Sequence, residues 1–279
     1  MSTENDRAIS NETGRKLANG GVLRLGFLFI GIAAIFAFPK AAGAADWYTG
    51  DKSSEPDYAP SVVLDASASL TSKGSDFGAF ALTAAIDGDL RQEGFRARIE
   101  GIAGEYNYFT TLPPVSPATA GSQKRIYAHQ EDAGVLGGYA WASRDWTAAI
   151  FGGTEIINTA LSPLDPNNTT KGLRIGAKIA GEFYGNPTHS TMLSGYGSYS
   201  TTDNDYYTRF KAGYRLWGNV FGGPEFMALG NQFYSEYRAG IHLTGLQIGH
   251  LSLGVSGGAT SNRISGSGGY GTFDARIGF

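Results

Sequence analysis

Charged side chains recur at every second position in several stretches of this chain. Arg96, Arg98 and Glu100 do so in one stretch, and Arg174, Lys178 and Glu182 keep the same parity in another. Arg209, Lys211 and Arg215 follow the rule, as do Glu236, Arg238 and His242, and Asp274 with Arg276. Residues two apart on a strand share one face. A face of this kind can hold cross-strand ion pairs that fill an interior, or it can line a narrow channel whose charges select a solute. Spacing leaves both open. Without the histidine, basic residues in the set outnumber acidic ones nine to four. The remaining acids, such as Asp51, Glu55, Asp57, Asp203 and Asp205, are therefore expected mostly in loops.

Catalysis needs more than charge. A hydrolase of the nucleophilic kind requires a nucleophile and a histidine held by a third group. The four histidines are His129, His189, His242 and His250. His242 shares a face with Glu236 and Arg238, which reads as a satisfied network. His189 stands in NPTHST, a short turn. His250 has Ser252 two positions on but no orienting acid, and His129 sits in a long loop with Glu131 and Asp132. None forms a triad pattern, and no metal-ligand spacing is present. With no cysteine, disulfides and thiolate sites are excluded. GSGGYG at 266–271 lacks the Lys-Ser/Thr of a phosphate loop and its strand-to-helix context. A non-enzymatic protein without cofactor or metal is expected. A net charge of -3 suggests no nucleic-acid partner.

The elements that must position these charges are strands. Residues 173–184 put Leu173, Ile175, Ala177, Ile179 and Phe183 opposite Arg174, Lys178, Glu182 and Tyr184. The same alternation runs through 95–104, 208–216 and 233–244. Weaker stretches lie near 61–69, 77–87, 133–143, 146–158, 190–199, 220–229 and 247–259, with a last one near 269–279. The total is 12, an even number, with lengths near those a tilted strand needs to cross a membrane. Glycine is frequent inside them (41 in 279 residues), which suits strands that bend and pack closely. Pro224 marks a bulge or the first residue of the ninth strand.

Export is written at the start. Arg15, Lys16 and Arg24 precede an apolar run at 25–38, followed by PKAAGAAD with small residues at Ala42 and Ala44. A run this short reads as a signal peptide over 1–44, since a spanning helix needs roughly 20 residues. Residues 45–60 read as a periplasmic segment. The rest has no long apolar run, so membrane crossing would require a closed barrel. The expected fold is all-β: a single transmembrane antiparallel up-and-down β-barrel of about 12 strands over 61–279.

Loop lengths agree with that plan. Short connections fall at 87–89, 143–145, 185–187, 218–219 and 244–246, alternating with 71–76, 109–132, 159–170, 200–206, 230–232 and 260–268. Most of the second set are longer, as expected of the outer end of a barrel, and 230–232 is the exception. The closing YGTFDARIGF carries Phe273, Ala275, Ile277 and Phe279 on one face. In a closed barrel the last strand pairs with the first. Phe273, Ile277 and Phe279 also resemble the C-terminal assembly signal of bacterial outer-membrane barrels. Tyr48, Tyr58, Tyr106, Tyr108, Tyr196, Tyr199, Tyr206, Tyr207 and Trp217 read as girdle residues, although flat rings can also stack on sugars.

Four stretches carry a family resemblance: WYTGDKS, DGDLRQEGFRARIEGIAGEYNY, GPEFMALGNQFYSEYRAGIHLTGLQIG and GGYGTFDARIGF. Together they resemble the BcsS family of cellulose-biosynthesis proteins, over most of the chain from about Asp46 to Phe279. The resemblance rests on Gly, Tyr and alternating charges and supplies no catalytic residues. It implies an outer-membrane accessory of cellulose, or exopolysaccharide, synthesis and secretion. Expected partners are then outer-membrane lipid, the barrel-assembly machinery, cellulose chains and other cellulose-secretion proteins. The alternatives are a general small-solute porin or surface-adhesion barrel, and an outer-membrane hydrolase.

Overall fold

The computed structural model describes residues 60–113, 121–143 and 145–279. The expected signal peptide (1–44) and all of the expected periplasmic segment except Pro60 lie outside the described residues. No helix among them is long and apolar enough to cross a membrane. Instead the chain forms twelve strands: β1 Val62–Thr71, β2 Asp76–Ala85, β3 Gly94–Leu112, β4 Ser122–Ala142, β5 Trp146–Ser162 and β6 Gly172–Thr188. There follow β7 Thr191–Ser200, β8 Tyr206–Trp217, β9 Val220–Gly230, β10 Ser235–Ile248, β11 Leu251–Asn262 and β12 Gly266–Gly278. Each pairs antiparallel with its sequence neighbour, and β12 closes on β1 to complete the barrel.

Closure runs from Val63↔Gly278 to Thr71↔Tyr270. It extends one residue further: the Phe279 amide donates to the Val62 carbonyl at 2.8 Å, and Ser61 N–H donates back to Phe279 at 2.9 Å. No sheet edge is left between the first and last strands, which is how a barrel satisfies its backbone without water. Phe273 pairs with Ala68 and Val255, and Ile277 with Leu64 and Leu251. These positions lie on the outward face, opposite the one that buries Asp65 and Asp274.

The alternation sorts side chains as a lipid-facing barrel would. Outward positions are large and apolar: Val135, Ile150, Ile175, Ile179, Phe210, Ile241 and Val255 are all exposed, Ile241 at 71%. Inward positions bury Arg98, Lys178, Arg209, Arg238 and Asp274. Glycine acts here by letting backbones approach. A Cβ on Gly240 would lie 2.2 Å from the Gly257 carbonyl and 2.7 Å from the Tyr270 hydroxyl. Pro224 sits inside β9, paired with Ile241, where the β8 ladder passes from Lys211↔Glu225 to Tyr214↔Gly222. It is therefore neither the first residue of the strand nor a bulge in that register.

Five connections differ from the sequence expectation. The one after β2 spans 86–93 rather than 87–89, and the one after β11 spans 263–265 rather than 260–268. The segment 109–132 is mostly strand: the β3–β4 ladder continues to Leu112↔Ser122, so only 113–121 joins them. The supposed turn at 244–246 is a bulge, and β10 runs on to Ile248 before turning at Gly249 and His250. At 185–187 there is likewise a bulge, and β6 reaches Thr188. Bulges keep a strand paired while bending it, so Gly-rich positions mimic turns in sequence.

Candidate functional site

Within the described residues, the inward charges gather in two groups on opposite walls of the lumen. On the β3–β6 wall, Lys178 Nζ lies 2.6 Å from Glu100 Oε1 and also touches Glu155. Further along the same two strands, Arg98 donates to Glu182 at 2.7 Å and lies 3.9 Å over the Phe151 ring. On the β8–β12 wall, Arg209 bridges Glu225 (2.7 Å) and Asp274 (2.8 Å), while Lys211 reaches Asp274 at 3.1 Å. Arg238 pairs with Glu236 at 2.6 Å, and Arg276 with Asp65 at 3.2 Å. Buried charges are tolerated only when partnered in this way.

Three residues expected in the lumen network serve elsewhere. Arg96 is buried but donates to the backbone carbonyls of Phe95, Asp89 and Gln92, tying down the β2–β3 turn. Arg215 is exposed and donates to the carbonyls of His189 (2.9 Å) and Gly218 (2.9 Å), joining two turns at the same end. Arg174 is exposed at the opposite rim, where it pairs with Asp203 at 2.9 Å. An arginine near the end of its ladder reaches turn carbonyls or a loop carboxylate instead, which parity alone does not reveal.

The expected basic excess is also corrected. Asp65, Asp132, Glu155 and Glu225 are buried on inward positions, and Asp205 lines the lumen from the end of the β7–β8 loop. Asp132, expected in a loop, lies on β4 paired with Ile102. Glu155 and Glu225 carry a sequence signal of their own: each is the single acid of its strand, at the inward parity.

Two cavities are stacked inside. One of about 50 Å³ lies toward the short-turn end, against Arg96, Glu182, Tyr184 and Trp141. The other, of about 180 Å³, lies between the two charged walls and reaches up to Tyr106, Asn231 and Tyr234. Asp65 and Arg98 border both, so they mark the narrowing between them.

The long-loop end is covered. Tyr106 on β3 meets Tyr234 from the β9–β10 loop with ring centroids 4.9 Å apart. Tyr108 donates to Asp165 (3.0 Å) and accepts from Asn168 (2.8 Å), both in the β5–β6 loop. Asn107 donates to the carbonyls of Lys73 (2.8 Å) and Gly74 (3.0 Å) in the β1–β2 loop, and Ser265 donates to the Asn107 carbonyl at 3.2 Å. Gln232 donates to Asp203 at 3.2 Å. Loops from around the rim thus converge on the β3–β4 hairpin, over an apolar cluster of Tyr106, Tyr108, Ile126, Ala128 and Tyr234. Four residues expected in the girdle lie inside: Tyr106 and Tyr108 are buried in this cover, and Tyr196 and Tyr207 line the larger cavity.

The histidines do not converge. His242 is buried, with Nε2 3.1 Å from the Ala212 carbonyl and Nδ1 3.3 Å from Thr244 Oγ1. His129 lies 3.3 Å from Glu131 on the outer surface of β4. His189 and His250 stand in turns. Among the described residues no group of three acidic or histidine side chains is arranged to hold a metal.

A family model described as cellulose biosynthesis protein BcsS matches residues 69–279. Among solved structures, the chain resembles the KdgM porin at 7% identity, covering 78% of this chain and 99% of that one, with a TM-score of 0.41. The KdgM porin in complex with disordered oligogalacturonate gives 8% identity, the same coverages and a TM-score of 0.44. The outer membrane channel DcaP of Acinetobacter baumannii gives 10% identity, 86% and 100% coverage, and a TM-score of 0.35. No curated protein matches the chain.

Proposed function

This chain belongs to the BcsS family of cellulose biosynthesis proteins, and from that premise we propose that it is a non-enzymatic outer-membrane accessory of cellulose synthesis and secretion. The observation that carries the reading is the barrel's outer surface. A belt of exposed Val, Ile and Phe surrounds a wall whose inner face is charged, and such a surface is stable only against lipid. The long-loop end then faces outward, and the short turns with Arg96 and Arg215 face the periplasm. Phe273 and Ile277, on the outward face of β12, are where the barrel-assembly machinery would read the last strand together with Phe279.

The lumen supports an accessory role rather than a general pore. Ion pairs line both walls, and interlocked loops cover the outer end. The charged network of Arg98, Glu100, Lys178, Glu182, Arg209, Lys211, Glu236, Arg238, Asp274 and Arg276 holds the barrel and bounds an inner chamber. Cellulose chains and other secretion proteins are the partners this reading implies. Deleting the gene in a cellulose-secreting host is expected to lower or misplace secreted cellulose. Unchanged cellulose alongside a defect in small-solute uptake would favour the porin alternative and overturn this reading.

A further inference from the structure

The two charged walls are not equivalent. On the β8–β12 side each acid meets a cation: Arg209 and Lys211 share Glu225 and Asp274, with Tyr270 and Ser67 donating further hydrogen bonds. On the β3–β6 side the balance tips toward acceptors. Glu100, Asp132 and Glu155 gather around Lys178, which already serves Glu100 and Glu155. Asp132 is 9% exposed and lines the larger chamber. Its Oδ2 accepts from Gln130 at 3.1 Å, but its Oδ1 has no donor. Glu155 Oε2, on the neighbouring strand β5, has none either.

A buried carboxylate oxygen without a donor is costly, and the cost is removed when a ligand supplies one. Resting on the reading that this barrel serves cellulose secretion, we propose that Asp132, with Gln130 and Asp205 beside it, forms a subsite for a neutral, hydroxyl-rich chain of β-linked glucose residues. Three features select that chemistry. Excess acceptors require a donor-rich ligand and disfavour an anion. A cation is disfavoured because the Lys178 ammonium already occupies the centre of the carboxylates, and no metal-holding group is present among the described residues. Finally, Tyr196, Tyr207 and Tyr106 line the same chamber and offer flat apolar faces to the C–H face of a sugar ring. Entry requires the Tyr106–Tyr234 contact to part.

The test is isothermal titration calorimetry with cellopentaose on the purified barrel, as wild type, Tyr234→Ala and Asp132→Leu. Wild type or Tyr234→Ala is expected to bind. Asp132→Leu, placed in whichever background binds, is expected to weaken binding roughly tenfold or more, the size of one hydrogen bond to a charged group. Its thermal midpoint should change little, because Oδ1 is unsatisfied and Gln130, which donates to Oδ2, also has Asp205 beside it as an acceptor. Should Asp132→Leu fail to fold, Asp132→Ala, which also removes both acceptor oxygens, is read in the same way. Absence of binding in both wild type and Tyr234→Ala overturns the proposal, as does equal affinity with and without Asp132. Asp132-dependent binding of calcium chloride in place of the sugar also overturns it, since the subsite would then take a cation. The two readings fail separately. A deletion that lowers cellulose, with no sugar binding, removes only the subsite; binding with normal cellulose in the deletion strain removes only the accessory role.

Discussion

Two stretches of the β3–β4 hairpin use the same two-residue period with opposite sign. In the lower stretch Phe95, Ile99 and Val135 point outward, and Arg96, Arg98 and Glu100 point inward. In the upper stretch Glu105, Arg125, His129 and Glu131 lie on the outer face, and Tyr106, Tyr108, Ile126 and Ala128 are buried inside. The ladder is continuous from Gly94↔Ala140 to Leu112↔Ser122. What changes is the surroundings. Lipid outside demands apolar side chains, and water outside demands polar ones, so the packed cover of the lumen takes the apolar face. The point of inversion marks where the barrel leaves the membrane.

Substitutions that treat the two stretches alike should expose this difference. The largest effect is expected from Ile126→Ala, which empties a fully buried position in the upper cluster and costs about 3 kcal/mol. Thermal unfolding would read the loss, and a planar bilayer would read a rise in conductance as the cover loosens. Next comes a matched pair of lysines. Ile241→Lys, at the middle of the lipid-facing belt, should cost about 2 kcal/mol in folding titrations into bilayers. Tyr127→Lys, outward on the upper stretch between Arg125 and His129, should stay within about 0.5 kcal/mol. Equal costs for the two would erase the boundary drawn here.

The smallest expected effect is one of pH. Burial holds the Asp205 carboxyl well above the usual carboxylate range; the neighbouring Asp132 and Glu155 add to this, while Lys178 and a hydrogen bond from Gln130 oppose it. The folded barrel then binds this proton more tightly than the unfolded chain does. Its contribution is greatest below the ordinary aspartate range and is lost as pH rises through the folded value. The thermal midpoint should therefore fall modestly between about pH 5 and pH 8, and Asp205→Asn should flatten that slope.

Most of the barrel was legible because its code is local. Phe210, Ala212 and Tyr214 opposite Arg209, Lys211 and Arg215 announce a strand and its two faces without any partner. The upper half of the β3–β4 hairpin looks like a loop in sequence because its alternation is inverted, and Gly104, Pro113 and Pro114 punctuate the same stretch. Asp132 was lost to the lumen for that reason alone. Arg174 and Arg215 share the parity of Lys178 and Lys211, yet they end at opposite rims, since height along the barrel is invisible to parity.

By itself the sequence determined that the chain makes about 12 alternating strands, with charges on one face and apolar side chains on the other, because side-chain direction follows from backbone geometry one residue at a time. Only the tertiary structure decided which charges meet. The neighbours Arg209–Asp274, Arg98–Glu182 and Tyr106–Tyr234 are separated by scores of residues. They are brought together by the register and closure of the whole sheet, which no local pattern encodes.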